Sequence, residues 1–432
     1  MSAIITENDA RYAYDLVKRI CTEIGPGMPG TAQERERAAI IEEELALHLG
    51  SENVETEEFS LAPGAFLGSL PICAVFLLIA ALFNASTGRF AGISPWLNTV
   101  AALLFSILAI LPFVLEYVFY WELIDPLFRK GRSVNVIGAL RRPGTRTVRR
   151  LLILSGHHDS AMENTWIRFL GYGFHITLPT LIIALIITLV MSAIQLAGLI
   201  VDNADTVRAG TLGWVLWVYP IVPAVIFAMF FNMGRKNGGT VPGAADNLSA
   251  CALTLAMCRF LVNNPAYIPE DTEIRFISFG SEEAGIRGSR RYVARHLVDL
   301  KRLDTRMLNY ETVAYPLIAI LTSDVNGAVR NSPEMVNSVV AAAERASVPY
   351  KVQPYTVGTG ASDAGPFSQA GLMATTLLPF KMPQQVVAFY HQKWDSPEVL
   401  TIEPLLNVLK LTYEWICNDC PEQVIDPGVQ TR

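Results

Sequence analysis

Short polar motifs directly follow apolar, strand-like runs at several points of this 432-residue chain. The first motif is His157-His158-Asp159, which comes after the apolar run Leu151–Ser155 and one glycine. In an extended segment His157 and Asp159 point to the same side. The carboxylate could then hold one imidazole nitrogen while the other nitrogen faces a metal ion. The alternative interpretation is a loop histidine followed by a capping aspartate.

Two adjacent carboxylates, Glu282 and Glu283, follow a second apolar run, Arg275–Phe279. Neighbouring glutamates at the end of a buried strand repel each other unless a proton or a cation compensates. A metal ion that binds one carboxylate and leaves the other as a base would resolve this conflict. A solvated acidic turn is the alternative, but it is less natural directly after an apolar strand.

Three further residues could join such a site. Asp246 stands near the start of a predicted helix, where an aspartate can also serve as a cap. Glu311 lies among apolar residues of the predicted strand Met307–Val313, so it should be paired or bind a ligand. His391 follows a tyrosine, and its alternative is an ordinary surface histidine. A mixture of nitrogen and oxygen ligands suits zinc.

The elements that would position these residues alternate between strands and helices. The predicted strands are Val54–Ser60, Val134–Leu140, Leu151–Ser155, Glu273–Phe279, Met307–Val313, Leu317–Thr322, Tyr350–Tyr355 and Ala374–Leu378. The predicted helices are Ala10–Ile24, Thr31–Leu49, Ser249–Val262, Arg290–Leu297, Pro333–Ala346 and Ile402–Cys417. This order predicts an α/β fold with a mixed sheet covered by helices. Ligands of such sheets collect at the carboxyl ends of the strands.

Hydrophobic residues make up 51% of the chain and charged residues only 17%, and the deficit of charge is concentrated in four runs. The uncharged runs are Phe59–Gly88, Phe90–Leu115, Phe169–Val201 and Ala209–Gly234. Each is long enough to cross a bilayer as a helix, although a buried core helix is the alternative. We expect two transmembrane hairpins, residues 64–122 and 169–234. Residues 1–60, 126–168 and 235–432 would then share one compartment and fold together as one catalytic domain.

The basic residues that flank the runs predict the orientation of the chain. The flanks on the side of the large domain carry Arg129, Lys130, Arg132, Arg168, Arg235 and Lys236, whereas the turns carry only Arg89 and Arg208. The excess of positive charge on the cytoplasmic side of membrane proteins places the large domain in the cytoplasm. The net charge of −6 gives no reason to expect nucleic-acid binding.

Taken together and in order, the motifs resemble those of the M28 family of zinc aminopeptidases. The corresponding segments are His157-His158-Asp159, Gly243-Ala-Ala-Asp246-Asn247, Glu282-Glu283-Ala-Gly285-Ile-Arg-Gly288-Ser289, Glu311, Ser362-Asp363 and Tyr390-His391. The resemblance covers the whole of the chain outside the apolar runs. It implies a zinc aminopeptidase fold with two zinc ions per chain.

The resemblance also implies a role for each motif residue. Asp246 would bridge the two ions, with His157 and Glu311 as ligands of one ion and Glu283 and His391 as ligands of the other. Glu282 would be the general base, and Asp159 the partner of His157. Tyr390 and Asp363 would be further residues around the ions or the substrate. Most members of the family have aspartate where Glu311 stands. The longer side chain would alter the spacing or occupancy of that half of the site.

The implied reaction is hydrolysis of peptide bonds in a peptide or protein substrate. Because the second apolar hairpin separates His157 from Asp246 in sequence, the membrane helices should begin near the site, which favours a substrate close to the bilayer. Three alternatives stay open: a glutaminyl-cyclase-like enzyme with one zinc, a membrane scaffold without activity, and a transporter. The uncharged runs offer a transporter no obvious polar path. A homo-oligomer is compatible with the sequence.

Overall fold

The computed structural model describes residues 5–87, 94–211, 218–232, 239–355 and 360–418. The strands are β1 (Val54–Leu61), β2 (Gly131–Arg141), β3 (Arg150–His157), β4 (Thr272–Phe279), β5 (Asp304–Tyr310), β6 (Ile318–Leu321), β7 (Ser323–Asp324), β8 (Val329–Arg330), β9 (Tyr350–Gln353) and β10 (Met373–Leu378). Eight of them form one mixed sheet in the order β1-β2-β4-β3-β5-β10-β6-β9, and β7 pairs with β8. The predicted α/β fold with a mixed sheet is confirmed.

The centre of the sheet is parallel, because β3 pairs in parallel with β4 on one side and β5 on the other. β10 continues the parallel arrangement beside β5, whereas β2 and β6 run antiparallel to their inner neighbours. Strands buried on both faces read as continuous apolar runs, and β3 does so. The carboxyl ends of β3, β4 and β5 therefore meet at one edge of the sheet.

The helices are α1 (Glu7–Glu23), α2 (Ala32–Leu49), α3 (Ala65–Ser86), α4 (Pro95–Pro112), α5 (Thr165–Leu170), α6 (Thr177–Ile200), α7 (Ala204–Thr211), α8 (Val218–Ala228), α9 (Ser249–Asn263), α10 (Arg287–Arg302), α11 (Pro333–Ala346), α12 (Ala364–Gln369), α13 (Gln384–Ala388) and α14 (Ile402–Asn418). One face of the sheet packs against α1, α2, α9, α11 and α14, and the other against α10 and α12. Side chains alternate between these faces, as Leu152 and Leu154 on the first and Leu151 and Ile153 on the second show.

The apolar helices α3, α4, α6 and α8 pack against one another together with the short polar helix α7, and we call these five helices the helix bundle. A π-helical turn, Phe113–Val118, extends α4 towards the sheet. The interior of the bundle is built from small and apolar residues such as Leu77, Ala80 and Leu181. Its outer surface is also apolar, since Leu104, Ile186 and many similar side chains are exposed. An exposed apolar surface of this extent needs an apolar environment to cover it.

Four helices are long and apolar enough to cross a membrane, by length and composition: Ala65–Ser86, Pro95–Val118, Thr165–Ile200 and Ala244–Asn263. The first three coincide with predicted spans. The last is the buried core helix α9 with its preceding turn, and it packs against the sheet. The fourth predicted run, Ala209–Gly234, lies partly outside the described residues.

One boundary differs from the sequence-based predictions. The predicted strand Met307–Val313 ends at Tyr310, so Glu311 lies just beyond the strand rather than inside it. Helix α3 continues to Ser86 and buries Asn84. Asn84 hydrogen-bonds Ser192 and Gln195 of α6, so this polar side chain in an apolar run marks a contact between helices.

Candidate metal centre

The candidate ligands converge at the carboxyl edge of the parallel strands. His157 is the last residue of β3, Glu283 follows β4 after a short turn, and Glu311 follows β5 directly. His157 pairs in register with the last residue of β4, which brings the two strand ends level. The register of the sheet therefore brings together side chains that lie far apart in the sequence.

His157 is fully buried, and its two ring nitrogens face different partners. Nδ1 lies 3.3 Å from Asp159 Oδ1, and Nε2 lies 3.5 Å from both Asp246 Oδ1 and Glu311 Oε1. Asp159 also accepts hydrogen bonds from the backbone N–H groups of Glu282 and Glu283, at 3.0 and 2.9 Å. Asp159 thus ties the histidine of β3 to the turn after β4.

Asp246 occupies the centre of the arrangement. It lies in the turn Ala244–Leu248 before α9, and its second carboxylate oxygen is 3.1 Å from His391 Nε2. His391 Nε2 is in turn 3.3 Å from Glu283 Oε1. The ring of Tyr390 stacks on the imidazole of His391, with 4.0 Å between the ring centroids.

Two groups of three potential ligands share one carboxylate. They are His157, Asp246 and Glu311, and Asp246, Glu283 and His391, with the ligand atoms of each group within 4.8 Å of one another. We call these five residues the ligand cluster. Tetrahedral zinc ligands at about 2.0–2.1 Å from the ion lie about 3.3 Å apart, which matches separations of 3.1–3.5 Å. The donor set of two imidazoles and three carboxylates also suits zinc.

Buried polar atoms of the ligand cluster lack hydrogen-bond partners among the described residues. They include His157 Nε2, Asp246 Oδ2 and Glu311 Oε2. Buried polar atoms are nearly always satisfied in folded proteins. Orphaned polar atoms of this kind around one point therefore fit a cation better than an apolar or protein partner.

Electrostatics support the same interpretation. Burial raises the pKa of Glu282, and the neighbouring carboxylates of Glu283 and Glu311 raise it further, against the attraction of His157. Burial also raises the pKa of Glu311. For His157, burial alone would lower the pKa, but Asp159 and the other carboxylates raise it well above its usual value. The site thus concentrates negative charge that a divalent cation would neutralise.

Two residues outside the predicted set hold the site in shape. The carboxylate of Asp395 accepts hydrogen bonds from the backbone N–H groups of Ala245 and Asp246, at 2.7 and 3.1 Å. The side chain of Asn247 joins this turn to the end of β5, since it donates to Tyr310 O and accepts from Thr312 N. Asn247 could have been recognised because it directly follows Asp246, whereas Asp395, four residues after His391, offered no such signal.

Asp363 is close enough to the ligand cluster to interact electrostatically with His157 and Asp159. It is fully buried just before α12, and both of its carboxylate oxygens lack a hydrogen-bond partner among the described residues. Burial raises the pKa of Asp363 to about 7. It is not one of the residues whose ligand atoms group together.

The ligand cluster borders a cavity of about 470 Å³, which we call the central cavity. Asp246, Glu282, Glu283, Glu311 and His391 line one side of it. The other side is lined by residues of the helix bundle and the segments that adjoin it, including Phe66, Leu178 and Phe230. Volumes of this size accommodate small ligands or several residues of a peptide.

Comparisons with known proteins agree with this geometry. Residues 231–416 match the family described as Peptidase family M28. Aminopeptidase YwaD of Bacillus subtilis (strain 168) is 35% identical over 167 residues, which are 38% of this chain and 35% of that protein, so the match spans about a third of the relative.

Solved structures resemble the fold over almost the whole chain. BSAP, a zinc aminopeptidase from Bacillus subtilis, has a TM-score of 0.53 at 16% identity and 94% coverage of both chains. A glutaminyl cyclase from an Acidobacteriales bacterium has a TM-score of 0.51 at 13% identity, with coverage of 94% of this chain and 93% of that one. The part of the chain that carries Asp246, Glu283, Glu311 and His391 thus matches peptidase family M28, within a fold that is that of zinc aminopeptidases.

Proposed function

We propose that this protein is a membrane-embedded zinc metallopeptidase of the aminopeptidase type, with two zinc ions per chain and Glu282 as general base. The observation that carries the proposal is the pair of ligand groups that share Asp246 at the carboxyl ends of β3, β4 and β5. The match of residues 231–416 to peptidase family M28 supports it. YwaD, which is named an aminopeptidase, supports the class of reaction.

Each half of the ligand cluster would hold one ion. His157 and Glu311 face Asp246 from one side, and Glu283 and His391 face it from the other. Asp159 keeps His157 oriented by holding Nδ1, so that Nε2 is left to bind. Zinc, when bound, would polarise the scissile carbonyl and make a water molecule more acidic.

Glu282 belongs to neither of the two groups that share Asp246, although its carboxylate also lies within reach of His157 and Glu283. It lines the central cavity, and its Oε2 is 3.8 Å from His157 Nε2. A carboxylate in this place can accept the proton of an attacking water and return it to the leaving amine. Tyr390 lines the same cavity, and burial raises the pKa of its hydroxyl well above the usual value, so it stays protonated and can donate a hydrogen bond.

The helix bundle supports a membrane location. Its outward faces expose aliphatic side chains along α3, α4, α6 and α8, as a surface in contact with lipid does. Trp121, near the sheet end of the bundle, is exposed, as expected for an aromatic residue at the interface. The basic residues that flank the apolar runs favour a cytoplasmic location for the α/β part under the positive-inside rule.

The decisive test replaces Glu282 by glutamine in the full chain. Glutamine keeps the size of the side chain but cannot act as a base, so hydrolysis of peptides with a free N-terminus should be lost while zinc stays bound. Glu36, an exposed glutamate of α2, provides the matched control, and Glu36→Gln should leave both properties unchanged. Activity retained by Glu282→Gln would refute the assigned base.

Zinc content, measured by mass spectrometry of the purified protein, separates the alternatives. Two zinc ions with hydrolysis support the proposal. One zinc ion with cyclisation of N-terminal glutamine would favour the glutaminyl cyclase alternative, whose fold is shared. A chain that binds no zinc and cleaves no peptide would favour the scaffold.

A further inference from the structure

We infer that the helix bundle supplies the substrate pocket of the proposed peptidase, and that the pocket takes an apolar peptide segment delivered from the lipid. This inference rests on the proposed function and adds the class of substrate to it. It begins with the asymmetry of the central cavity: its carboxylates and His391 lie on the side of the ligand cluster, whereas the opposite side is mostly apolar, with Tyr117, Tyr120 and His175 as its polar residues.

The opposite side is an apolar wall built by several elements of the bundle. The wall residues are Phe66 and Leu67 of α3, Leu178 and Ile182 of α6, and Phe230 and Phe231 after α8. A charged or small polar side chain placed against this wall would lose its water without gaining hydrogen bonds. A large apolar side chain would instead gain contact area on all sides.

The exposed lining residues indicate where the cavity opens. Pro179 in the first turn of α6 lines the cavity and is exposed, and Met382, another lining residue, is 44% exposed. Both residues can be reached from outside while the ligand cluster stays buried. The cavity therefore opens beside a helix that is long and apolar enough to cross a membrane.

Helix α6 separates the cavity from the outer surface of the bundle. Ile182 lines the cavity, whereas the next residue, Ile183, is 47% exposed on the outside, as is Ile186 one turn later. The same stretch of helix thus contacts both the site and the surroundings that cover the bundle. An apolar segment dissolved in the bilayer could pass around the start of α6 without crossing water, whereas a polar peptide would gain nothing from this route.

The experiment uses the full chain in phospholipid nanodiscs and four peptides of one length. They carry an N-terminal leucine or alanine, each followed by an apolar or a Gly/Ser-rich segment. We expect kcat/KM to be higher for leucine by about 60-fold, since leucine has three more carbon groups than alanine and each group buried in an apolar pocket contributes about fourfold. We expect the apolar segment to lower KM by about 10-fold in nanodiscs, a gain of about 1.4 kcal/mol.

Variants test whether the wall is responsible. Ile182→Ser should reduce the preference for leucine by about 10-fold, and Met382→Ser should do so without risk to the interior of the bundle. The matched control is Ile183→Ser, which changes the outward neighbour and should leave the preference unchanged.

The outcomes separate this inference from the proposed function. If none of the peptides is cleaved by the zinc-loaded protein, the proposed function fails, and the substrate class fails with it. If alanine peptides with polar segments are cleaved as efficiently as the leucine peptides with apolar segments, the peptidase stands and the lipid-delivered substrate is refuted. Equal effects of Ile182→Ser and Ile183→Ser on the preference would also overturn the role of the wall.

Discussion

The two sides of the central cavity are formed by two regions of different chemical character, the α/β region and the helix bundle. The α/β region brings the ligand cluster to one edge, because His157, Glu283 and Glu311 follow parallel strands that end at the same level, and the segments that carry Asp246 and His391 reach the same edge. The helix bundle and its adjoining segments contribute a mostly apolar surface, in which Tyr117, Tyr120 and His175 are the polar exceptions. Under the proposed function, reaction chemistry and substrate selection belong to different regions and should respond separately to mutation.

The two regions are joined by a buried cluster of charged side chains beside the turn that carries Glu282 and Glu283. Arg287, the first residue of α10, is fully buried and lies 2.8 Å from Glu116, 2.9 Å from Asp125 and 3.0 Å from Glu122. Glu116 belongs to the π-helical turn that extends α4.

Gly285 has a positive φ of 99°, and a Cβ there would lie 3.1 Å from the ring of Phe66. The turn that contains Glu282 is thus held in place by contacts with residues of the helix bundle.

The largest expected effect comes from Asp246→Asn, which removes the carboxylate that both ligand groups share. We expect loss of hydrolysis and of most of the bound zinc, measured by peptide assay and metal analysis, while the helix bundle stays folded. Asp205→Asn, at an exposed aspartate of α7, is the matched control and should change neither. An Asp246→Asn protein with two zinc ions and normal activity would break the division between the two regions.

The next largest effect concerns the junction. Arg287→Met leaves buried carboxylates without their cation, and breaking a buried pair in this way costs about 3–5 kcal/mol. The free energy of unfolding in detergent should fall by that amount. Arg302→Met, which breaks an exposed pair with Asp299, should cost about 0–1 kcal/mol.

A double variant sharpens the interpretation of the junction. Arg287→Met combined with Glu116→Gln removes both charges, so it should recover part of the lost stability. A double variant as unstable as the sum of the two single variants would show that the two residues do not stabilise each other. The bundle would then be held against the turn after β4 by apolar contacts, such as that between Phe66 and Gly285.

The sequence predicted the parts of this site that follow strands. His157 and Glu282 could be recognised because a polar residue directly after a buried apolar strand is conspicuous, and the strand itself fixes where that residue lies. Asp395 gave no comparable signal, since its partners are backbone N–H groups about 150 residues away in sequence. A bond to backbone depends on the fold alone and leaves no pattern of residue types.

The sequence predicted that apolar helices exist, but not which of their residues face the cavity and which face outward. Helix α6 is apolar on all sides, so periodicity does not distinguish Ile182 in the cavity wall from Ile183 on the outside. Glu116 ended an apolar run in the sequence, and its buried pairing with Arg287 required the tertiary structure. Length and apolar composition also fit α9, a core helix, because burial in a protein and in lipid select similar residues.

A smaller effect is expected for Asp159→Asn. Asparagine can accept one of the two backbone hydrogen bonds but carries no charge to hold His157 Nδ1. Loss of such a supporting partner lowers metal affinity or activity by about 10–100-fold. Zinc titration and kcat/KM measure it, with Asp299→Asn on the exposed face of α10 as control. An unchanged zinc affinity would show that the turn after β4, and not Asp159, orients His157.

The smallest effect is expected inside the helix bundle. Ser192 of α6 exchanges hydrogen bonds with Asn84 of α3 and lies 3.1 Å from Ser106 Oγ of α4, which joins three helices. Hydrogen bonds between membrane helices contribute about 0.6 kcal/mol each, so Ser192→Ala should lower stability by about 1 kcal/mol. Thr180→Val removes a hydroxyl that bonds only within α6 and should change stability less.

The activity of Ser192→Ala decides how independent the two regions are. Ser192 lies more than two turns beyond Ile183 along α6 and does not line the central cavity. If the bundle acts only through its wall, the catalytic efficiency with the leucine peptide should equal that of the unmodified protein. A catalytic efficiency that falls by an order of magnitude while zinc stays bound would mean that packing deep in the bundle sets the shape of the cavity. Substrate preference and hydrolysis would then depend on the same packing of the bundle and could not be changed separately.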